Sequence, residues 1–230
     1  MQAQGLIAVR LDVAPEHEDE FNAWYDSEHV PQVTALSGFV RTRRYFAAHA
    51  DIRYLAWYET RAASVEGEAA FQALVANPTP WSRRMRSLYG AKRERMNFAL
   101  MCEVGEAPVP DAPWMYIVHT DIPDHIVAEY NAWYDSEHLP RCVGIPGVLR
   151  ARRYTAAACT SGDTGPKYLT AYEMTGPEVW ESPAALQARK TPWTEKMRSL
   201  FSNTRRALYR LAAPAVTHEQ ALQRQYRSPG

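Results

Sequence analysis

Ten residues of this chain are written twice. Asn22-Ala23-Trp24-Tyr25-Asp26-Ser27-Glu28-His29-Val30-Pro31 returns as Asn131-Ala132-Trp133-Tyr134-Asp135-Ser136-Glu137-His138-Leu139-Pro140, with one substitution. The echo continues downstream, where Gly38, Arg41, Arg43, Arg44 and Tyr45 recur as Gly147, Arg150, Arg152, Arg153 and Tyr154. A repeat of roughly 110 residues is too long for a solenoid unit and predicts a duplicated domain. The boundaries follow: a first repeat over 1–103, a linker over 104–113 carrying Pro108, Pro110 and Pro113, a second repeat over 114–213, and a polar tail over 214–230 that is expected to be partly loose.

Apolar alternation around Ile7, Val9 and Leu11 predicts a strand over 5–13. Pro15 and the acidic run Glu16, Glu18, Asp19 and Glu20 open a helix that carries the motif and is expected to break or bend at Pro31. Strands follow at 39–46 and 52–60, then a helix over 65–76 with Ser64 as its cap, a short helix behind Thr79-Pro80, and a strand over 93–103. The second half repeats the order, with strands at 114–121, 148–156, 168–174 and 205–212, the motif helix over 124–142, and helices behind Ser182-Pro183 and Thr191-Pro192. The glycines between 162 and 165 lie between two strands and read as a hairpin loop. Each half is thus β-α-β-β-α-β, an α+β unit with one bare sheet face that needs a partner. The second copy can supply it, as two four-stranded sheets packed face to face.

Composition narrows the function classes. Lys and Arg balance Asp and Glu to a net charge of zero, which leaves no electrostatic footprint for nucleic acid. No stretch approaches the roughly 18 apolar residues of a membrane span. The three cysteines, Cys102, Cys142 and Cys159, are scattered and unrepeated, which fits a reducing cytoplasm rather than a disulfide framework or zinc site. No phosphate loop, nucleophile elbow or dinucleotide fingerprint is present.

The motif supplies candidate chemistry. On an α-helix Asn22, Asp26 and His29 share one face with Tyr25 at its flank, and Asn131, Asp135, His138 and Tyr134 do the same, while Glu28 points away with Trp24. A histidine at a helix C-terminus feels the negative dipole end, which favours its protonated form, and a neighbouring carboxylate pushes the same way. Such groups serve as general acid or base, with the tyrosine donating to an oxyanion; the bland reading is a histidine that caps the turn before Pro31. Arg41 and Arg43 share a strand face with Tyr45, as Arg150 and Arg152 do with Tyr154, and meet either an anionic substrate or Glu59 and Glu173 in the adjacent strands. Metal ligation by Asp26 with His29, or Asp135 with His138, lacks further carboxylates, so no metal is expected.

The halves also differ. Arg10 is matched by His119, Ile7 by Tyr116, and Trp57 by Ala171, which points to the second half as the roomier site, combining His119, His138 and Tyr116.

The repeated β-α-β-β-α-β pattern resembles the dimeric α+β barrel superfamily, as a tandem fusion in which one chain completes the barrel. The Trp-Tyr-Asp-x-Glu-His-x-Pro element, followed by Gly and an arginine-rich strand, looks most like EthD-type and muconolactone-isomerase-type proteins. The resemblance implies ferredoxin-like repeats and a small-molecule substrate. It embraces cofactor-free isomerases, lyases and oxygenases, haem enzymes and proteins without a reaction. The expectation is a cytoplasmic, cofactor-independent isomerase or lyase acting on an aromatic or lactone-like carboxylate. His138, Asp135, Tyr134, His29, Asp26 and Tyr25 would carry the chemistry. His119, Tyr116, Asn131, Asn22, Arg150, Arg152, Arg41 and Arg43 would bind substrate, with no cofactor. One alternative is a haem-binding or oxygen-using barrel, with His119 or His138 as axial ligand; the other is a non-catalytic ligand-binding barrel. Further homo-oligomerisation is open, and neither nucleic acid nor membrane is expected as a partner.

Overall fold

The computed structural model describes residues 3–107, 110–158 and 165–227. Eight strands form its centre: β1 (Gly5–Val13), β2 (Phe39–His49), β3 (Tyr54–Thr60), β4 (Tyr89–Gly105), β5 (Trp114–Asp121), β6 (Val148–Ala157), β7 (Tyr168–Met174) and β8 (Ser202–Leu211). They pair in the circular order β1-β4-β6-β7-β5-β8-β2-β3 and back to β1, all antiparallel. The first half supplies β4-β1-β3-β2 and the second β8-β5-β7-β6. The expected pair of face-to-face sheets is therefore one closed barrel. Each half alone would end in two unpaired edges; β4 meets β6 (Leu100 opposite Tyr154) and β2 meets β8 (Tyr45 opposite Leu211), which removes them. The expected linker begins as strand, because Val104 and Gly105 remain paired with Ala151 and Arg150.

Strand alternation sorts the side chains into three cores. Leu6, Ala8, Trp57, Met115, Ile117 and Ala171 fill the barrel interior. Their neighbours point outward, where Ile7, Phe21, Trp24 and Tyr58 pack under the first half's helices, and Tyr130, Trp133, Tyr172 and Trp180 under the second's.

The motif helix does not break at its proline. In the first half it runs as α1 (Glu18–Trp24), a π-helical turn over Tyr25–His29, and α2 (Val30–Thr34), with Pro31 inside the first turn of α2. Proline lacks an N–H, and its ring clashes with the carbonyl four residues back in a regular helix. The widened turn accommodates it, and the Val30 N–H reaches the Tyr25 carbonyl five residues back. Gly38, at φ +86°, turns the chain into β2. Residues 65–67 form a 3₁₀ turn, and α3 (Ala69–Ala76) starts after an extended Glu68; Ser64 makes no capping bond, contrary to expectation. Thr79 does cap α4 (Pro80–Ser87), accepting from the Ser82 N–H at 2.9 Å.

The second half repeats this with α5 (Val127–Trp133), a π turn over Tyr134–His138, α6 (Leu139–Val143), α7 (Pro183–Ala188) and α8 (Pro192–Ser199). Ser182 and Thr191 cap α7 and α8. Where the tail was expected to be loose, its residues 216–227 form a strand and a helix. β9 (Val216–Thr217) pairs with Arg41 and Thr42 of β2, a stretch beyond the reach of β8, and α9 (His218–Arg227) packs on α2 with Ala221 buried. Gly162 and Cys159 lie outside the described residues, while Gly165 is described.

Candidate active site

The motif's polar residues hold the helix to the sheet. Arg44, on the outer face of β2, donates to Asp26 at 2.5 Å and to Asn22 at 2.6 Å, and its guanidinium lies 4.5 Å from the Tyr25 ring centre. Arg153 repeats the clamp with Asp135 (3.0 Å), Asn131 (2.8 Å) and Tyr134 (4.0 Å to the ring centre). The carboxylates were expected to orient the histidines, and here the π turn decides otherwise. Residues five apart lie about 140° apart on an α-helix, but the wider turn aligns them. His29 stacks on Trp24 at 4.5 Å and His138 on Trp133 at 4.3 Å. Asp26, Asp135, Asn22 and Asn131 are thus anchors for arginine.

The histidines' charge state also differs from expectation. Neither sits at a helix end, since each helix continues past its proline, so no dipole terminus favours protonation. Burial, aided by Arg86, Arg95 and Arg44, pushes His29 down to about 3. Burial with Arg198, Arg189 and Arg153 does the same to His138. Both imidazoles are neutral at pH 7. Tyr25 and Tyr134 are buried and pushed up by desolvation, so both remain protonated donors.

The space around the two histidines is unequal. In the first half a cavity of about 280 Å³ opens between the helices and the outer face of the sheet. Ile7, Val9, Phe39 and Phe71 form its apolar wall, with Tyr25, Tyr58, Tyr89 and His29 as polar points and Arg86, Arg93 and Arg95 along one side. The Tyr58 hydroxyl is buried with no hydrogen-bond partner among the described residues. In the second half the matching space is about 40 Å³. Tyr116 stands where Ile7 does and stacks on Trp180 at 4.7 Å; Trp180 takes the place of Glu66, and the Arg189 guanidinium covers Trp180 at 4.5 Å. The Tyr134 hydroxyl accepts from Thr170 at 3.1 Å, whereas Ala56 stands at that position near Tyr25. The second half is the filled one, which reverses the sequence expectation. Trp57 and Ala171 misled it, because both face the barrel interior.

His119 belongs to that interior as well. On β5 the odd positions Met115, Ile117 and His119 point inward, and Tyr116 and Val118 point to the helices. The sheet therefore separates His119 from His138 and Tyr116. Desolvation by burial pushes His119 down to about 4.

The strand arginines are held inside the protein. Arg152 donates to Glu59 at 2.9 Å and Glu173 at 2.7 Å, and Arg43 bonds the same two carboxylates. Arg150 reaches Glu173 at 2.9 Å, and Arg41 reaches Glu59 and Asp111 at 3.1 Å each. Burial alone would raise the Glu173 carboxyl, but Arg43, Arg152 and Arg150 outweigh it and hold it at about 2. This network ties the halves together at one end of the barrel and leaves these arginines no role beside either histidine. The arginines that do line the open cavity are Arg86, Arg93 and Arg95. Their signal in the sequence is the alternation of Arg93 and Arg95 on one face of the fourth strand, below Arg86 in the preceding helix.

No family model matches the chain, and no curated protein matches it. Solved structures do. A proposed monooxygenase from Lactobacillus acidophilus NCFM superposes with a TM-score of 0.61 at 10% identity, over 94% of this chain and 97% of that one. An anthrone oxidase-like protein gives 0.63 at 11% identity, over 95% and 94%. A mutant chlorite dismutase from Candidatus Nitrospira defluvii gives 0.62 at 10%, over 97% of each chain. At these identities the likeness establishes the fold alone, a closed antiparallel barrel of an α+β protein, compatible with a dimeric α+β barrel fold. The expectation of a cofactor-independent isomerase or lyase is corrected. These neighbours bear oxygenase, oxidase and dismutase names, and the expected carboxylate–imidazolium pair is replaced by a neutral histidine stacked on tryptophan. Among the described residues no helix is long and apolar enough to cross a membrane, and no group of three or more His, Cys, Asp or Glu could hold a metal ion.

Proposed function

We propose that this chain is an oxygen-using enzyme that oxidises an electron-rich, hydroxylated aromatic molecule in the first-half cavity. One observation carries the reading: a neutral imidazole and three guanidiniums border an apolar, aromatic-walled space, and its counterpart in the second half is filled. Burial is the main cause that keeps His29 unprotonated and works against any buried charge; the smaller contribution, from Arg86, Arg95 and Arg44, favours the anion of a bound phenol or enol. Such an anion is electron-rich and is the form that gives electrons to dioxygen. His29 accepts the departing proton or a hydrogen bond from it, and Tyr25 and Tyr58 donate to the oxygen that bears the charge. Oxidation of an activated methylene to a ketone consumes one dioxygen and releases one water, with no outside reductant. The oxygenase and oxidase names of the structural neighbours support this class.

The haem alternative fits less well. His138 and His119 each border a space of about 40 Å³, far below the roughly 300–1,000 Å³ of pockets that enclose drug-sized ligands. His138 is besides packed between Trp133 and Tyr172, with the Cys142 sulfur 3.7 Å from its Nε2. At the level of the fold, the strand order of each half supports two ferredoxin-like repeats, and free Cys102 and Cys142 support a reducing compartment.

The test is dioxygen consumption by the purified protein with an anthrone, a flat hydroxylated tricycle, as probe. Uptake matched by formation of the ketone, and abolished in His29→Ala, is the expected result. A panel of phenolic aromatics that draws no oxygen uptake from the wild type would overturn the reading.

A further inference from the structure

The open cavity carries a feature that oxidation of a plain phenol does not need. Arg93 is exposed at the cavity's edge and makes no hydrogen bond or ion pair with any described residue; its guanidinium sits 5.7 Å from the Tyr89 ring centre. Arg86 lines the same cavity and, among the described residues, donates only to the Val75 carbonyl, at 3.3 Å. Arg95 differs, being paired with the buried Glu66.

The second half serves as an internal control. Arg86 is matched there by Arg198 at the same place in its helix, and Arg95 by Arg206 at the same register in its strand. Arg93 has no such match. Its counterpart, Thr204, shares a hydrogen bond of 2.7 Å with Thr120 and closes the strand pair instead. Each space is thus lined by three arginines, but the first half's third, Arg93, stands free at the open edge, whereas the second half's, Arg189, lies over Trp180 and helps to fill the space.

A guanidinium held at the rim of an apolar pocket, with its donors free, is suited to a planar anion that binds through two oxygens. From this we infer that the substrate of the first-half site carries a carboxylate on its aromatic frame, docked at the cavity mouth by Arg93 with Arg86 behind it. The inference rests on the reading of this cavity as the substrate site. It sets the orientation: the ring system lies against Ile7, Val9 and Phe71, the carboxylate lies outward, and the hydroxyl reaches inward to His29. Arg93 is then a determinant of specificity, and Arg41, Arg43, Arg150 and Arg152 take no part.

Calorimetric titration of the full chain with two probes, 2-naphthol and 6-hydroxy-2-naphthoate, whose hydroxyl and carboxylate lie at opposite ends of the ring system, tests it. The wild type should bind the carboxylate about tenfold more tightly, the size of one charge-assisted hydrogen bond, and added salt should shrink that margin. In Arg93→Gln, whose side chain is exposed and whose fold is checked by its thermal melt, the ratio should fall towards one, and Arg93→Lys should restore part of it. Equal affinity of the wild type for both probes, or a preference that survives Arg93→Gln, overturns the carboxylate inference while the cavity reading stands. Failure of the wild type to bind either probe overturns both.

Discussion

The two helix-side spaces are built from the same motif, the same arginine clamp and the same histidine on tryptophan, yet one is open and the other is filled. The difference lies in three pairs of residues: Ile7 against Tyr116, Glu66 against Trp180, and Val75 against Arg189. All three second-half residues are large, and they stack on one another where a ligand would lie. The repeated residues therefore build a scaffold, and the unrepeated ones decide whether the scaffold holds a site. Identity between the copies marks what the fold needs.

The widest contrast is expected between the histidines. His29→Ala should lower oxidation of the anthrone probe by about 10²–10⁴-fold. His138→Ala should leave turnover close to wild type and cost stability, because its ring is packed in a filled core. Parallel oxygen-uptake and urea-unfolding measurements would decide, and equal losses of turnover in the two variants would erase the distinction between the halves. Trp180→Ala should cost about 3–5 kcal/mol, read from the urea midpoint, and should open a second space around His138. If the loss is below about 1 kcal/mol, the second half was not well packed.

A smaller effect concerns pH. His138 is protonated in the unfolded chain below about 6.5 but in the folded chain only near 3, with His119 near 4. Between those values the unfolded state binds more protons, so stability is full above pH 6.5 and is lost as pH falls. The expected slope is about 1.4 kcal/mol per pH unit for each such histidine. Urea unfolding at pH 7, 5.5 and 4.5 should show it, and His138→Gln should remove one histidine's share. An unchanged slope would mean that His138 is solvated. The smallest effects are symmetric. Thr79→Ala and Thr191→Ala each remove a helix cap, the donors being the Ser82 and Thr194 N–H groups at 2.9 and 3.0 Å, and a hydrogen bond to Glu28 or Glu137. Each should cost about 1 kcal/mol, and thermal melts that differ markedly would show that the scaffolds are less alike than their sequences.

Much of the fold was legible in the chain. The duplication, the β-α-β-β-α-β order, the Thr-Pro and Ser-Pro helix starts and the pairing of Glu59 and Glu173 with strand arginines follow from local pattern and charge balance, which act over a few residues. What could not be read depends on how elements meet. A turn one residue wider moved each histidine from its aspartate to its tryptophan, because helix phase accumulates and a single inserted residue rotates all that follows. Strand alternation put His119 and Tyr116 on opposite faces of β5, and that separates them only once both faces are covered. Closure of the barrel followed from edges that no single half can satisfy. The open cavity with its arginines is set by volumes contributed from distant segments, so the sequence determined the scaffold and the tertiary packing alone decided which copy keeps an open cavity.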